Sequence, residues 1–238
     1  MFSKVSIIFL LPSLAWAFTF LTDGMKGWER DEINFHFNPA GCSLPAEEIE
    51  AAIDEGIRAW NRVPTAKLRL RYEGRSEQTG QQEEPLIECV TAGLDESLGV
   101  TRIFTVNRRI YRGYIQLNSD PSADSNIANY RGERLSIVLA HEMGHALGLG
   151  HSASEAALMH YTIAGKQELL LSQDDIDGVS FLYPRKEPED GMLGCGSLSP
   201  PGGGSGGGSG LLGVLSIVGI FTLLLSKRRS PTFPAWQP

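Results

Sequence analysis

Residues 141–151 read HEMGHALGLGH, and this stretch decides both the fold and the chemistry expected of the chain. Side chains four residues apart lie on one face of a helix, so His141 and His145 can reach the same metal ion. Glu142 lies one position further round that helix, where its carboxylate can hold a water molecule beside the ion. The alternative is an ordinary helix whose polar face happens to carry histidines.

A glycine near the end of this stretch indicates how a third ligand could join. Gly148 can adopt a positive φ and turn the chain sharply, which would return His151 toward the other two histidines. Three nitrogen ligands leave one tetrahedral position open, as in catalytic rather than structural zinc sites. The sequence therefore predicts one catalytic Zn²⁺, with Glu142 as the general base beside it.

The length and the N-terminal end set the context of this site. The chain has 238 residues and a net charge of −7, which allows one domain with appendages and does not favour nucleic-acid binding. Residues 1–17 combine Lys4, a short apolar run and an A-x-A sequence at 15–17. This pattern predicts a cleaved signal peptide rather than an N-terminal membrane anchor, and hence export to an extracellular or periplasmic location.

The C-terminal end has a second biased composition. Residues 188–210 are rich in glycine, serine and proline and predict a flexible linker. Residues 211–226 carry no charge, and the tail 227–238 opens with a basic cluster that is expected to stay cytoplasmic. A membrane helix is favoured over a buried core helix. The arrangement resembles bacterial C-terminal sorting signals, although residues 230–238 follow the basic cluster, so a retained anchor and a cleaved signal both stay open.

The chain has three cysteines. Cys42 and Cys89 both fall in the globular part, and export permits disulfides, so the two are expected to pair. Cys195 adjoins the linker. It is either a point of processing or lipidation or a spare thiol.

The globular part, residues 18–187, predicts an α/β domain. The predicted strands cover 33–38, 68–72, 99–106 and 110–118, with a polar loop over 73–85. The predicted helices run from about Ser43 and Pro45 to Pro64, over 134–148, and from a capping box at Ser172 and Asp175 to Pro184.

The zinc-binding stretch resembles a known signature. HEMGHALGLGH matches the HExxHxxGxxH pattern of metzincin metalloproteases, which also have a methionine turn beneath the metal. Met159 in ALMHY (157–161) takes that place, although alone it would be interpreted as core filler. Ser152, LSQDDIDGVSFLYP (171–184) and FLTDGMKGWERDEINFHF (20–37) are similar to matrixins, the matrix-metalloprotease-type metzincins.

The resemblance implies a fold and an activity. The fold would be an α/β (α+β) domain with a mixed twisted sheet, two long helices and a small C-terminal subdomain. The activity would be that of a zinc endopeptidase acting on proteins or peptides, with strand 99–106 as the cleft edge that pairs with an extended substrate.

The residue after the methionine turn departs from matrixins. Met159-His160-Tyr161 resembles the turn of astacins and serralysins, which implies that Tyr161 contacts zinc or stabilises the oxyanion. The alternative is a packed aromatic side chain. Tyr161 and Ile163 also stand where matrixins have a proline and a tyrosine in the specificity wall, so matrixin subsite preferences do not transfer.

Other expectations concern the ends of the domain and further metal ions. Cleavage after Ala17 would place Phe18 near the start of activated matrixins, with Asp174 or Asp175 receiving the new amino group. The alternative is that these aspartates only favour the helix N-terminus. No propeptide with a cysteine switch is recognised between residue 17 and the domain, so the control of latency is left open.

Few residues remain for a second metal ion. Outside the zinc-binding stretch only His36 and His160 are histidines, so a histidine-bound structural zinc is not expected. A Ca²⁺ site at Asp120 or Asp124 and plain solvation of these loop carboxylates are both open.

One rival function uses the same fold. A catalytically inactive metzincin would keep its metal and act as a surface protein-binding module. Retention of Glu142 favours the enzyme, because a binding module has no need of a general base. The sequence does not predict an oligomeric state.

Overall fold

The structure is a computed structural model that describes residues 18–80, 82–163 and 165–185. The predicted signal peptide, the linker, the apolar segment 211–226, the basic tail and Cys195 lie outside the described residues. Within the described part of the chain, no helix is both long enough and apolar enough to cross a membrane.

The described residues form a mixed five-stranded sheet with three α-helices. The elements are β1 (Glu32–Asn38), α1 (Ala46–Asn61), β2 (Arg69–Arg75), β3 (Leu86–Val90), β4 (Gly99–Val106), β5 (Arg109–Asn118), a 3₁₀ turn (Ile127–Asn129), α2 (Glu133–Ala146) and α3 (Gln173–Leu182). The strand order in the sheet is β2-β1-β3-β5-β4. The first four of these strands are parallel to one another, and β4 is an edge strand antiparallel to β5. The predicted α/β class with a mixed sheet and two long helices is confirmed.

The core lies between the sheet and the two long helices, α1 and α2. Alternation in β1 buries Ile33, Phe35 and Phe37 completely, as the period-two pattern predicts. The two helices approach closely where they cross, because a Cβ atom on Gly56 would lie 2.9 Å from the Met143 sulfur. Trp60 of α1 donates its indole N–H to the Ala140 carbonyl of α2 at 2.9 Å, which fixes the helix that carries the zinc-binding stretch.

Two parts of the sheet differ from the sequence prediction. Strand β3 was not predicted, because its five residues, LIECV, are a short and mostly apolar segment without a period. It is a central strand between β1 and β5, and three consecutive residues, Leu86, Ile87 and Glu88, are buried. Strand β2 continues to Arg75, into the predicted polar loop, and the Arg75 guanidinium bonds Glu47 and Glu50 of α1.

The ends of the first two helices also differ slightly from prediction. Helix α1 begins after Pro45, but the Ser43 hydroxyl does not cap it and instead donates to Asn126 at 2.6 Å. Helix α2 ends at Ala146 rather than at residue 148, because Gly148 has a φ of +105° and leaves the helical region.

The predicted disulfide between Cys42 and Cys89 is confirmed. Cys42 follows β1 and Cys89 belongs to β3, so the bond ties the loop before α1 to the centre of the sheet. The two cysteines are 47 residues apart in the chain.

Replacing both Cys42 and Cys89 with serine is expected to lower the free energy of unfolding by about 2–4 kcal/mol, because the cross-link restricts the unfolded chain. Urea denaturation of the purified protein measures this difference. Reductant should shift the wild type toward the variant and leave the double variant unchanged. An unchanged unfolding midpoint in the variant would contradict a stabilising role.

Candidate metal centre

Helix α2 and the turn after it bring the predicted site residues together. His141, Glu142 and His145 are buried near the C-terminal end of α2. The positive φ of Gly148 then turns the chain so that His151 reaches the same point, as expected. A Cβ atom at Gly148 would also lie 3.0 Å from Met25, so a larger residue there would be strained and crowded.

The spacing of the three histidines fits a zinc ion. The Nε2 atom of His145 lies 3.1 Å from that of His141 and 3.2 Å from that of His151. Two nitrogen ligands on a tetrahedral zinc ion, with bonds near 2.0–2.1 Å, are about 3.3 Å apart. Three side chains from one helix and one turn are therefore placed for a single ion.

The hydrogen bonds of the two buried histidines determine which ring nitrogen faces the centre. Nδ1 of His141 lies 2.8 Å from the Leu158 carbonyl, and Nδ1 of His145 lies 2.8 Å from the Leu149 carbonyl. A carbonyl only accepts, so each Nδ1 carries the hydrogen and each Nε2 presents a lone pair. Two lone pairs facing each other at 3.1 Å repel unless a cation lies between them, which is the arrangement that a metal requires.

Burial also keeps these histidines in the form that binds metal. It lowers the pKa of His141 to about 4 and that of His145 to about 3. The pKa of His151 is lowered by burial as well. All three rings are therefore neutral near pH 7, and no proton has to leave before they bind an ion.

Glu142 has the environment of a general base. Burial raises its carboxyl pKa to about 7, and a hydrogen bond from Thr101 acts in the opposite direction. The Thr101 hydroxyl lies 2.6 Å from Oε2 of Glu142. A carboxyl group with a pKa near the working pH can both accept and return a proton.

Met159 lies beneath α2. Its side chain is 2 % exposed, and a Cβ atom on Gly144 would fall 2.3 Å from its sulfur. Ser152, directly after the third histidine, donates its N–H to the Met159 carbonyl at 2.7 Å. The structure thus places Met159 where the methionine turn was predicted, joined by backbone pairing to the ligand segment.

The carboxylate of Asp175 fixes this turn. It is 1 % exposed and accepts from the backbone N–H groups of Leu158, Met159 and Ser172 at 2.7–2.9 Å, and from the Ser172 hydroxyl. The capping box was predicted, but the bonds to residues 158 and 159 were not. The only sequence signal for these two bonds is the aspartate in the first turn of a helix. That signal is useful only if the aspartate is known to be buried.

Asp174 and Asp175, both in the first turn of α3, differ in the hydrogen bonds that they already accept. The Asp175 carboxylate accepts four. Asp174 has a buried Oδ2 atom to which no described residue donates. Phe18 packs against Gly178 of the same helix, so these contacts favour Asp174 as the partner of a processed N-terminus, and the salt bridge itself stays a prediction.

The N-terminal segment contacts the ligand loop directly, which the sequence did not predict. The Thr19 hydroxyl donates to the His151 carbonyl at 2.7 Å, and the Thr19 carbonyl accepts from Gly150 at 2.8 Å. A Cβ atom on Gly150 would lie 2.4 Å from the Thr19 hydroxyl, so glycine is required there for close approach. The backbone of the third ligand is thereby held from outside the 141–151 stretch.

A cleft of about 810 Å³ opens in front of the three histidines. One side is β4, whose second edge pairs with no described strand. Val138 of α2, Tyr130 and Ile163 also line the cleft. An extended chain could lie along this edge with side chains directed into the cleft.

Tyr161 lines the same cleft as the three histidines, with its side chain 72 % exposed. Its ring centroid lies 4.2 Å from that of His160, the next residue back along the chain. The residue is therefore not a packed core aromatic, and its hydroxyl is accessible to a bound substrate. Its catalytic role stays a prediction.

Asp120 and Asp124, the predicted calcium ligands, lie in different surroundings. The Asp120 carboxylate accepts from the N–H and the hydroxyl of Ser122 at 2.8 and 2.6 Å, which lowers its pKa. Asp124 is exposed at the cleft rim. Among the described residues, the three histidines form the group of ligand atoms close enough to share a metal, and calcium stays a prediction.

The mixed sheet, the helix with two zinc-spaced histidines, the glycine turn to a third and the underlying methionine define a metzincin-type metalloprotease domain. The family model for matrixins (peptidase M10) matches residues 27–184, and the chain belongs to this family. Matrixins are zinc metalloendopeptidases.

Individual curated relatives are similar at low identity. Interstitial collagenase of Equus caballus is 28 % identical over 176 residues, 71 % of this chain and 35 % of the relative. Stromelysin-1 of Rattus norvegicus is 27 % identical over 174 residues, which are 70 % of this chain and 35 % of the relative. Matrix metalloproteinase-19 of Mus musculus is 30 % identical over 182 residues, which are 68 % of this chain and 30 % of the relative. The chain spans about a third of the length of these relatives.

Asp175→Asn is expected to lower the free energy of unfolding by about 2–3 kcal/mol, because an amide NH₂ would face backbone N–H donors in a buried site. Zinc affinity should fall as well, since the Leu158 carbonyl that orients His141 would shift. Denaturation and competition with a chelator measure the two effects. Asp177→Asn, an exposed change on the same helix, is the control, and equal behaviour of the two variants would contradict the anchoring role.

Proposed function

We propose that this chain is a zinc-dependent endopeptidase that hydrolyses peptide bonds of proteins, with Glu142 as its general base. The observation that carries the proposal is the convergence of three neutral imidazole nitrogens beside a buried carboxylate at the wall of an open cleft. Structural zinc sites are closed by four protein ligands, whereas this group offers three.

His141, His145 and His151 would hold the ion, and the carbonyls of Leu158 and Leu149 keep two of the rings oriented. Bound zinc supplies a Lewis acid that lowers the pKa of water and polarises a carbonyl group. Glu142 would take a proton from the attacking water and return it to the leaving amine. Its burial supports both steps, because a raised pKa makes the protonated form accessible near neutral pH.

The substrate would be an extended peptide segment. The edge of β4 that pairs with no described strand offers backbone donors and acceptors, and the apolar part of the cleft lining would accept a side chain. This pairing is independent of side-chain identity, so it would let the enzyme act on a range of unstructured sequences. Subsite preference would be set by the cleft residues of this chain, including Ile163, rather than by the matrixin pattern.

Tyr161 would contribute an additional donor. Its exposed hydroxyl at the cleft could stabilise the negative charge that develops on the carbonyl oxygen in the transition state. The same position allows it to approach the metal directly.

Export fits the chemistry of the domain. A disulfide between Cys42 and Cys89 persists in oxidising compartments, and matrixin relatives are extracellular. We therefore propose that residues 1–17 direct export and that the segment 211–226 tethers the enzyme to a membrane or is removed by processing.

Glu142→Gln is expected to lower casein cleavage by about 100- to 10,000-fold, because the amide cannot accept the proton. Zinc affinity should stay near that of the wild type. Glu155→Gln, an exposed change outside the cleft, serves as the matched control. Cleavage should also stop with a chelator and return with added zinc. A wild-type chain that binds zinc but cuts no substrate would instead support the protein-binding module.

Tyr161→Phe is expected to lower kcat by about 100-fold, the effect of removing one donor to the oxyanion, with KM little changed. Steady-state kinetics on a fluorogenic peptide measure the effects on kcat and on KM separately. Tyr111→Phe removes a phenol hydroxyl at another exposed position, away from the histidines, and should leave kcat unchanged. Full turnover in the Tyr161 variant would rule out a catalytic role for the phenol.

A further inference from the structure

The edge strand β4 contacts the carboxylate of Glu142 through a side chain of its own. The Thr101 hydroxyl lies 2.6 Å from Oε2 of Glu142 and 3.0 Å from the Glu142 backbone carbonyl. A threonine hydroxyl carries one hydrogen, so it donates to one of these acceptors at a time. The shorter distance and the charge of the acceptor favour the carboxylate.

Gly99 lies two residues before Thr101 on β4, and residues two apart share a face of a strand. A Cβ atom on Gly99 would lie 3.0 Å from Cγ of Glu142 and 3.2 Å from Oε1. The backbone of Gly99 does not have a positive φ, so conformation does not explain a glycine at this position. Close approach to Glu142 does explain it.

These contacts restrict a flexible side chain. Free glutamate has several rotamers, and a carboxylate beside a cation can swing round to bind it directly. Because Thr101 holds Oε2 and the Glu142 side chain packs against Gly99, one orientation of the Glu142 carboxylate is favoured. Oε1 lies next to Gly99, on the side where that residue has no side chain, and Glu142 and Gly99 both line the cleft.

We propose that Thr101 is a positioning residue for the general base, holding Oε2 of Glu142 so that Oε1 is directed at the attacking water. This inference rests on the proposed endopeptidase function. It assigns a second task to β4, because the strand that would pair with the substrate also orients the base. A bound peptide and the base would then be aligned by one rigid element, which is the geometry that lowers the entropic part of a barrier.

The test compares Thr101→Val, which keeps the shape but removes the hydroxyl, with Thr101→Ser, which keeps the hydroxyl. In the full chain, Thr101→Val is expected to lower kcat by about 10- to 100-fold on a fluorogenic peptide, with KM within about twofold of wild type. Thr101→Ser should retain kcat within about threefold of wild type. Zinc content and the thermal unfolding midpoint should not distinguish the two variants.

Thr65→Val is the matched control. Its hydroxyl also makes a 2.6 Å hydrogen bond, to Ser180, on a surface away from the cleft, so its loss should leave kcat and KM unchanged. A stability effect common to any lost threonine bond would appear equally in both valine variants.

The outcomes distinguish the positioning role of Thr101 from the endopeptidase function. Wild-type kcat in Thr101→Val, or a loss that Thr101→Ser shares, overturns the positioning role while leaving the endopeptidase intact. A fall in kcat accompanied by loss of zinc also overturns it, because the hydroxyl would then support the metal site rather than the base. A wild-type chain that cuts nothing refutes the endopeptidase and this role together.

Discussion

The buried carboxylate of Asp175 is the interaction on which the metal centre depends. A desolvated charge is costly unless donors surround it, and here four donors from two segments satisfy it. Two of them belong to Leu158 and Met159, so the N-terminus of α3 fixes the backbone of the methionine turn. The carbonyl of the same Leu158 accepts from His141, which extends the constraint to a metal ligand.

Close packing constrains the face of α2 that lies against α1 and the methionine turn. Gly144 leaves space for Met159 and Trp60, and Gly56 of α1 leaves space for Met143. Packing therefore explains Met143 and Gly144, while metal binding and proton transfer explain the histidines and Glu142. A helix buried on all sides in this way cannot rotate, which keeps the ligands in register.

The features predictable from the sequence were local in the chain. Helical spacing, the glycine turn and strand alternation placed the histidines, Glu142 and most elements, and Cys42–Cys89 followed from the two cysteines in the globular part. What was missed depends on contacts between distant segments. The hydrogen bond from Thr19 to the His151 carbonyl and those from Leu158 and Met159 to Asp175 leave no pattern in the sequence. Strand β3 was missed because its five residues, four of them apolar, have no distinctive period.

The support of the metal and the support of the base come from different parts of the fold. His141 and His145 are oriented by the carbonyls of Leu158 and Leu149, in the methionine turn and in the turn after α2. Glu142 accepts a hydrogen bond from Thr101 of β4, the edge strand that lines the cleft. A change on this strand would therefore alter the surroundings of Glu142 while leaving the hydrogen bonds of His141 and His145 in place. Contacts that orient Glu142 favour the enzyme over a metal-binding module, because such a module has no need of an oriented base.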